Sequence, residues 1–494
     1  MPGDTKLYKP YNGTKSKLAI KKVELPKMSD GMKIVAQFKS PSTGEVTGPP
    51  LNLPAETTPE QLQLLLNKLL GNEEDPLPYT FFVNDTEISH SVYDDAIASN
   101  AETSTESLFT ILYHPQAIFR VRAVTRCSSS LEGHTEAVLT VVFSPNGRQL
   151  ASGDTTVRIW DLNTETPQFT LDGHKNWVQV VAFSQNCKIL ASGSMDSTIR
   201  LWSTVDGKPM GDALRSHSQV ITSIAWEPKF DSNLFISGSK DGTAKIWDAI
   251  HRRCILTLGS HTGPVMCVKW GAEGLVYTGS RDKTIKVWEA SSGKLVRTLE
   301  GHAHWVNHLA LSTDFLTRTG PFDHTLPEFA NAEEAQQAAN KRYKESRTTA
   351  THPERLVSAS DDFTLYLWSP TESKQPIARL TGHQQPVTHV SFSPDGRYIS
   401  SSSFDKSIKL WDGLNGKFLR NLRGHVGNVY FACWSPDSRS LVSGSKDTTL
   451  KVWDVRDGKI KVDLPGHADE VFAVDWSPDG RYVASGGRDR VLKM

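Results

Sequence analysis

The sequence predicts a mainly β molecule in which a ring of like sheets follows a small α+β domain. Three observations carry that prediction. Eight dipeptides of the Gly-His type recur, with histidines at His134, His174, His217, His261, His302, His383, His425 and His467, and successive spacings of 40, 43, 44, 41, 81, 42 and 42 residues. Seven of the eight run on to a tryptophan that ends a short stretch: Trp160, Trp202, Trp247, Trp288, Trp368, Trp411 and Trp453. Residues 31–113 obey a different pattern, with alternating apolar runs on either side of one helical segment.

A repeat of about forty residues opening on Gly-His and closing on Trp-Asp is the sequence mark of a WD40 blade. The sixth repeat shows why. After His383, residues 387–392 alternate apolar and polar as a half-buried strand does. Ser-Pro-Asp-Gly at 393–396 presets a turn, Tyr398–Ser402 forms a second strand, 403–406 turns, and Ser407–Trp411 forms a third. Such a unit cannot bury both faces alone, so neighbours must stack around a ring. Eight repeats predict an eight-bladed WD40 β-propeller over 114–494. The eighth reaches Asp489, and the sequence stops at Met494 before the position of its tryptophan. Its outer strand must therefore come from elsewhere, and the alternating segment Ala117–Val124 is predicted to supply it.

Two repeats are irregular. The first reads Ala151-Ser152-Gly153-Asp154 where the second reads Ala191-Ser192-Gly193-Ser194-Met195-Asp196, which predicts a tighter hairpin. The fifth carries an insertion over 314–352, within which Pro327–Arg347 is rich in Ala, Glu, Gln and Lys and reads as a helix. A long insertion in a compact repeat is either a tolerated loop or a docking element.

Ahead of the ring, Met32–Phe38 and 46–53 read as paired strands, Thr57-Thr58-Pro59-Glu60 opens a helix over Gln61–Leu70, and Gly71 ends it. Tyr79–Val83 and Leu108–Tyr113 read as further strands. This is the element order of a small ubiquitin-like (β-grasp) α+β domain over 29–113, behind a basic tail over 1–28. It runs straight into the ring, so it has no free Gly-Gly end for conjugation.

Composition narrows the function classes. Lys+Arg and Asp+Glu are 55 each, so no global pull toward nucleic acid arises. Residues 1–39 carry nine Lys against three acids and 40–113 one Lys against twelve, an acidic segment between basic ones. No apolar run approaches the roughly 18 residues of a membrane span, so no membrane partner is expected. Five scattered cysteines without a CxxC pair point to a reducing compartment.

The sets His174, Asp196, Trp202; His217, Asp241, Trp247; His261, Asp282, Trp288; His383, Asp405, Trp411; and His425, Asp447, Trp453 match the buried hydrogen-bonded tetrad of WD40 blades. Each is completed by a strand Ser or Thr. They look like hydrolytic triads, but repeated copies of one triad have no catalytic sense, so they read as structural. No enzyme is expected.

The linker carries the most specific pattern: Thr105-Glu106-Ser107-Leu108, the strand to Tyr113 and Pro115, Phe119-Arg120-Val121-Arg122, Val124-Thr125-Arg126-Cys127-Ser128-Ser129-Ser130, then Gly133-His134. With the long fifth repeat ending in Ser358-Ala359-Ser360-Asp361-Asp362, it resembles the Notchless family of large-subunit ribosome assembly factors, whose ubiquitin-like domain is the NLE domain. The resemblance covers nearly the whole chain. It implies a nuclear and nucleolar protein, a monomer within the pre-60S particle, whose partners are particle proteins, rRNA and the AAA+ ATPase midasin. It also implies that Glu106 reaches the metal-ion-dependent adhesion site of midasin. The chain then needs no cofactor or metal of its own, because the carboxylate completes a Mg²⁺ held by the partner.

Other readings stay open beside it. Trp453-Asp454-Val455-Arg456 fits the WDxR pattern of substrate receptors for cullin-type ubiquitin ligases, and the family name points to a signalling scaffold in Notch signalling. His302, His304 and His308 suggest a metal-dependent enzyme, although His302 already serves the repeat. The basic residues Arg158, Arg200, Lys245, Lys286, Lys409 and Lys451, each two before a tryptophan, form either an RNA-facing ring or a consequence of strand periodicity. Trp177 and Trp305, which break the repeat, are either exposed anchors or stacked between blades.

Overall fold

The computed structural model describes residues 33–40, 46–72, 78–83, 86–88, 90–93, 108–115, 119–121, 124–348 and 353–494. The chain divides into two compact units, Met1–Ile118 and Phe119–Met494.

In the first unit, strands β1 (Lys33–Lys39), β2 (Val46–Pro54), β3 (Tyr79–Val83), β4 (Thr86–Glu87) and β5 (Leu108–Pro115) form one mixed sheet in the order β2-β1-β5-β3-β4. β5 runs parallel to β1 and antiparallel to β3, as the central strand of a β-grasp sheet does. Helix α1 (Pro59–Leu69) starts where Pro59 presets φ, and the Gln61 side chain accepts from the Thr58 N–H at 3.1 Å. Leu62 and Leu66, one turn apart, bury fully against Ile34, Phe38, Phe81 and Ile111. One apolar helix stripe on one sheet face makes this core.

Among the described residues the second unit holds eight sheets, one per Gly-His repeat. Their first strands touch in chain order around the axis, and the last (Val471–Trp476) returns to the first (Thr140–Phe143), closing the ring. Six sheets have four strands in simple up-and-down order. Blade 2 has three, because its outer segment makes only isolated bridges, Ile199 to Leu214 and Trp202 to Pro209. The eighth is completed by β6 (Ser130–Leu131), which pairs with Leu492–Lys493. That corrects the expected closing strand. Of Ala117–Val124, residues 117, 118, 122 and 123 lie outside the described residues, and the rest form no strand. Val121 and Val124 instead pack against the core of Val442, Val471 and Trp476, and the Val121 N–H donates to Asp437 at 2.9 Å. Val121 and Val124 thus pack against a blade core without pairing.

Up-and-down strands place the loops on two faces. The turns between second and third strands, with the Gly-His loops, occupy one; the Ser-Pro-Asp-Gly turns occupy the other. The insertion leaves blade 5 between its first strand (Val306–Leu311) and its second (Leu356–Ser360), so it lies on the latter face. It forms α2 (Asp314–Thr319) and α3 (Ala332–Thr348), the second starting five residues later than expected. Asn331 explains that start, since its side chain accepts from the Glu334 N–H at 2.8 Å as an N-cap.

Candidate functional site

The tetrads form as the spacing predicts. In blade 6, His383 Nδ1 meets Asp405 at 2.7 Å, His383 Nε2 meets Ser401 Oγ at 2.8 Å, and Trp411 Nε1 donates to the same Oγ at 2.9 Å. The Asp–His and His–hydroxyl distances are 3.0 and 2.8 Å for His174, 2.8 and 2.8 Å for His217, and 2.6 and 2.8 Å for His261. They are 2.9 and 2.7 Å for both His302 and His425. Trp202, Trp247, Trp288 and Trp453 donate to the hydroxyls of Ser192, Ser237, Thr278 and Ser443. A neutral imidazole satisfies everything: Nδ1–H donates to the carboxylate, Nε2 accepts from the hydroxyl.

The carboxylate does more than hold a histidine. Asp196 also accepts the Lys175 N–H at 3.0 Å and the Thr198 N–H at 2.9 Å, tying the turn to the Gly-His loop. Burial opposes its charge, but the bonds from His174 and Thr198 prevail and hold its pKa well below the usual carboxylate range. The same balance lowers Asp282, Asp362, Asp405 and Asp447. Burial lowers the pKa of His217, His383 and His425 despite their carboxylate partners, favouring the neutral form the network needs. The serine hydroxyls have no exposed surface and are engaged on two sides, so none can reach a substrate.

Two tetrads depart from the pattern. Blade 1 keeps its network without the two missing residues: Asp154 lies 3.0 Å from His134 Nδ1, off the line of a hydrogen bond, while Ser152 meets His134 Nε2 at 2.6 Å and Trp160 Nε1 at 2.8 Å. Asp154 was missed from sequence because it stands two residues after its serine rather than four. Blade 8 has His467, Ser485 and Asp489 in place, with Ser485 Oγ 2.8 Å from the imidazole.

The basic residues before the tryptophans work inside their own blades. Arg158 donates to the Gly133 carbonyl at 2.6 Å, Lys286 to the Ser260 carbonyl at 2.8 Å, and Lys245 to Ser216 Oγ at 2.7 Å. This also explains the glycine of Gly-His. Gly133 has φ of 145°, and a Cβ there would stand 2.7 Å from Arg158. The ring of basic residues therefore follows strand periodicity and does not present a free RNA-facing surface.

On the tetrad face, Trp177 and Trp305 are 42% and 38% exposed, with the Arg281 guanidinium 4.3 Å above Trp305. His302, His304 and His308 do not act together. The first belongs to its tetrad, His304 faces Asp361 at 3.7 Å, and His308 Nδ1 donates to the Val390 carbonyl at 3.1 Å. In the Trp453–Arg456 motif the indole is buried, and the Asp454 carboxylate caps its own turn by accepting the Arg456 N–H at 2.9 Å.

The ring axis holds a cavity of about 380 Å³, walled by first strands from all eight blades and by α2. Asp314 pairs with Lys269 at 2.9 Å, and Arg318 with Asp475 at 2.7 Å. Arg342 of α3 donates to the Gly320 and Phe322 carbonyls, and Gln336 accepts from the Phe230 N–H at 2.9 Å. Behind α2, burial raises the pKa of Glu354, which accepts from Tyr277 at 3.0 Å and from Thr313. The insertion thus straps the face from blade 5 across to blades 3, 4 and 8. Glu106 lies outside the described residues; Leu108, two positions on, opens the central strand β5.

An NLE (NUC135) domain model matches residues 34–94. A WD domain, G-beta repeat model matches seven segments between 125 and 494, passing over only the blade that bears the insertion. A Notchless protein homolog of Arabidopsis thaliana is 54% identical over 80% of this chain and 83% of its own length. The chain belongs to the Notchless family. Protein Notchless of Drosophila melanogaster is 49% identical over 72% of this chain and 73% of its own. Ribosome assembly protein 4 of Saccharomyces cerevisiae is 47% identical over 82% and 83%. Among solved structures, the computationally designed Ika8 protein matches with a TM-score of 0.57 at 27% identity, covering 74% of this chain and 98% of its own. That match speaks to the ring fold of this Notchless-family chain alone.

Proposed function

We propose that this Notchless-family chain is a non-enzymatic assembly factor of the large (60S) ribosomal subunit, working in the nucleolus and nucleus. The observation that carries the reading is 47% identity, over 82% of the chain, to a protein named for ribosome assembly. Within it, the domains divide as a basic tail over 1–28, the ubiquitin-like domain over 29–113 and the propeller over 114–494. The propeller anchors on the precursor, with Trp177 and Trp305 as aromatic contacts, and the ubiquitin-like domain presents Glu106 to the adhesion site of midasin. Magnesium takes oxygen ligands at about 2.0–2.1 Å in near-octahedral geometry, so one carboxylate fills an open position well. ATP hydrolysis in midasin then pulls on the anchored particle. The chain acts as a tether and supplies no chemistry.

Affinity purification of wild type beside Glu106→Ala and Glu106→Asp tests this. The expected result is large-subunit precursors with all three and midasin with wild type only, since Asp is one methylene too short. Undiminished midasin with Glu106→Ala would remove the tether mechanism. Loss of precursors from all three would remove the assembly role.

A further inference from the structure

While Arg158, Lys245, Lys286 and Lys451 of the third strands bond within their blades, several basic side chains of the outermost segments lie exposed on the rim. From blade 3 to blade 6, the segments 249–259, 289–300, 369–381 and 412–424 carry nine lysines and arginines against four acids. Arg252, Arg253, Lys294, Arg379, Arg420 and Arg423 are exposed, and among the described residues none of them forms an ion pair. Three of the four acids are engaged locally: Asp412 accepts the Leu414 N–H at 2.7 Å, Glu372 the Ser369 hydroxyl at 2.7 Å, and Glu289 the Ser292 hydroxyl at 2.5 Å. The rest of the rim differs. Segment 161–172 of blade 1 has three acids and no base, 203–216 of blade 2 has two of each, and 454–466 of blade 7 has three of each. Blades 3 to 6 thus form a continuous arc in net excess of positive charge, with blade 4 balanced inside it (two of each). Segment 119–133 of blade 8 adds three arginines against one acid elsewhere on the rim.

We propose that this arc is an RNA-binding surface that holds the phosphate backbone of structured RNA. Neutralising phosphates releases condensed counterions, which drives such binding without any sequence preference. A convex rim cannot enter the deep, narrow major groove of A-form RNA, so its contacts are to phosphates and 2′-hydroxyls. Ile255, Val296 and Ile377, exposed between the charges, lower the local dielectric around them. The proposal deepens the assembly reading by naming the component of the particle that the propeller meets.

The full chain is titrated against a short RNA duplex of mixed sequence over a range of salt. The arc variant combines Arg253→Gln, Arg379→Gln, Arg420→Gln and Arg423→Gln. A charge-matched control combines Lys208→Gln, Arg215→Gln, Lys459→Gln and Lys461→Gln, all exposed on the rim outside the arc. The arc variant is expected to bind at least about tenfold more weakly at physiological salt, with the log–log salt slope reduced by about 3. The control keeps the wild-type affinity and slope. Equal losses in both variants, or an unchanged slope in the arc variant, would overturn the proposal. So would arc-dependent capture of a polyglutamate peptide without RNA binding, which would reassign the arc to an acidic protein. The readout involves neither midasin nor Glu106, so failure here and failure of the tether are distinguishable.

Discussion

Ser401 has no exposed surface, yet its one oxygen serves two partners, the Trp411 indole and the His383 imidazole. Ser401→Ala leaves a buried N–H donor and a buried ring nitrogen unmatched, at about 1–3 kcal/mol for each such group. Blade 8 provides an internal control, because among the described residues Ser485 Oγ bonds His467 alone. Thermal unfolding should therefore show a clearly larger drop in midpoint for Ser401→Ala than for Ser485→Ala. Equal drops would mean that the indole contributes nothing through its N–H. At this scale the sequence was legible because each network repeats at fixed spacing around the ring. It failed at Asp154, where a two-residue shortening shifts the carboxylate toward its serine yet keeps it 3.0 Å from His134. Spacing encodes the usual route of the chain, whereas the network needs only the final position of the oxygen.

At the scale of elements, the insertion was legible as an extra helix but not as a strap. Its residues have no counterpart in other repeats, so nothing marked Asp314 or Arg318 as groups that meet the walls of the axial cavity. Asp475 is a buried carboxylate, and besides Arg318 it accepts the Phe143 N–H at 2.9 Å. Removing Arg318 leaves that charge with the Phe143 and Trp476 N–H groups and the Cys433 thiol as its donors. Arg318→Ala is expected to destabilise the ring by about 1–3 kcal/mol, and Asp475→Asn by less. Combined, the two should show a coupling of about 1 kcal/mol, read from urea unfolding of the four proteins in a double-mutant cycle. Strict additivity would show that α2 rests against the cavity without energetic contact. Alternation misled at Ala117–Val124 for a related reason. Its two packed residues, Val121 and Val124, stand three apart, so a period of two reported neither the face that packs nor whether the backbone pairs.

The whole ring depends on how its first and last blades are joined. Blade 2 apart, whose outer segment makes two isolated bridges, each outer strand pairs over four or more residues, whereas the seam uses two, Leu131 against Leu492 and Ser130 against Lys493. The Ser128 N–H and Ser129 N–H both donate to the Met494 carbonyl, at 2.8 and 3.3 Å, and extend the join by one position. The apolar contribution is larger than the pairing, for Leu131, Leu492 and Met494 bury together with Val138 and Trp160 across the boundary of blades 8 and 1. This join holds together the two ends of the ring, so local opening is expected to begin here. Hydrogen exchange should therefore show the amides of 483–493 exchanging well before those of 398–403 in blade 6, whose strand is flanked on both sides. Leu131→Ala removes buried apolar volume at the seam and is expected to cost about 2–4 kcal/mol. It should speed exchange in blades 8 and 1 while leaving blades 3 to 5 at their wild-type rates. Uniform acceleration in all blades would mean instead that the ring opens only as a single cooperative unit, with the seam no weaker than the rest.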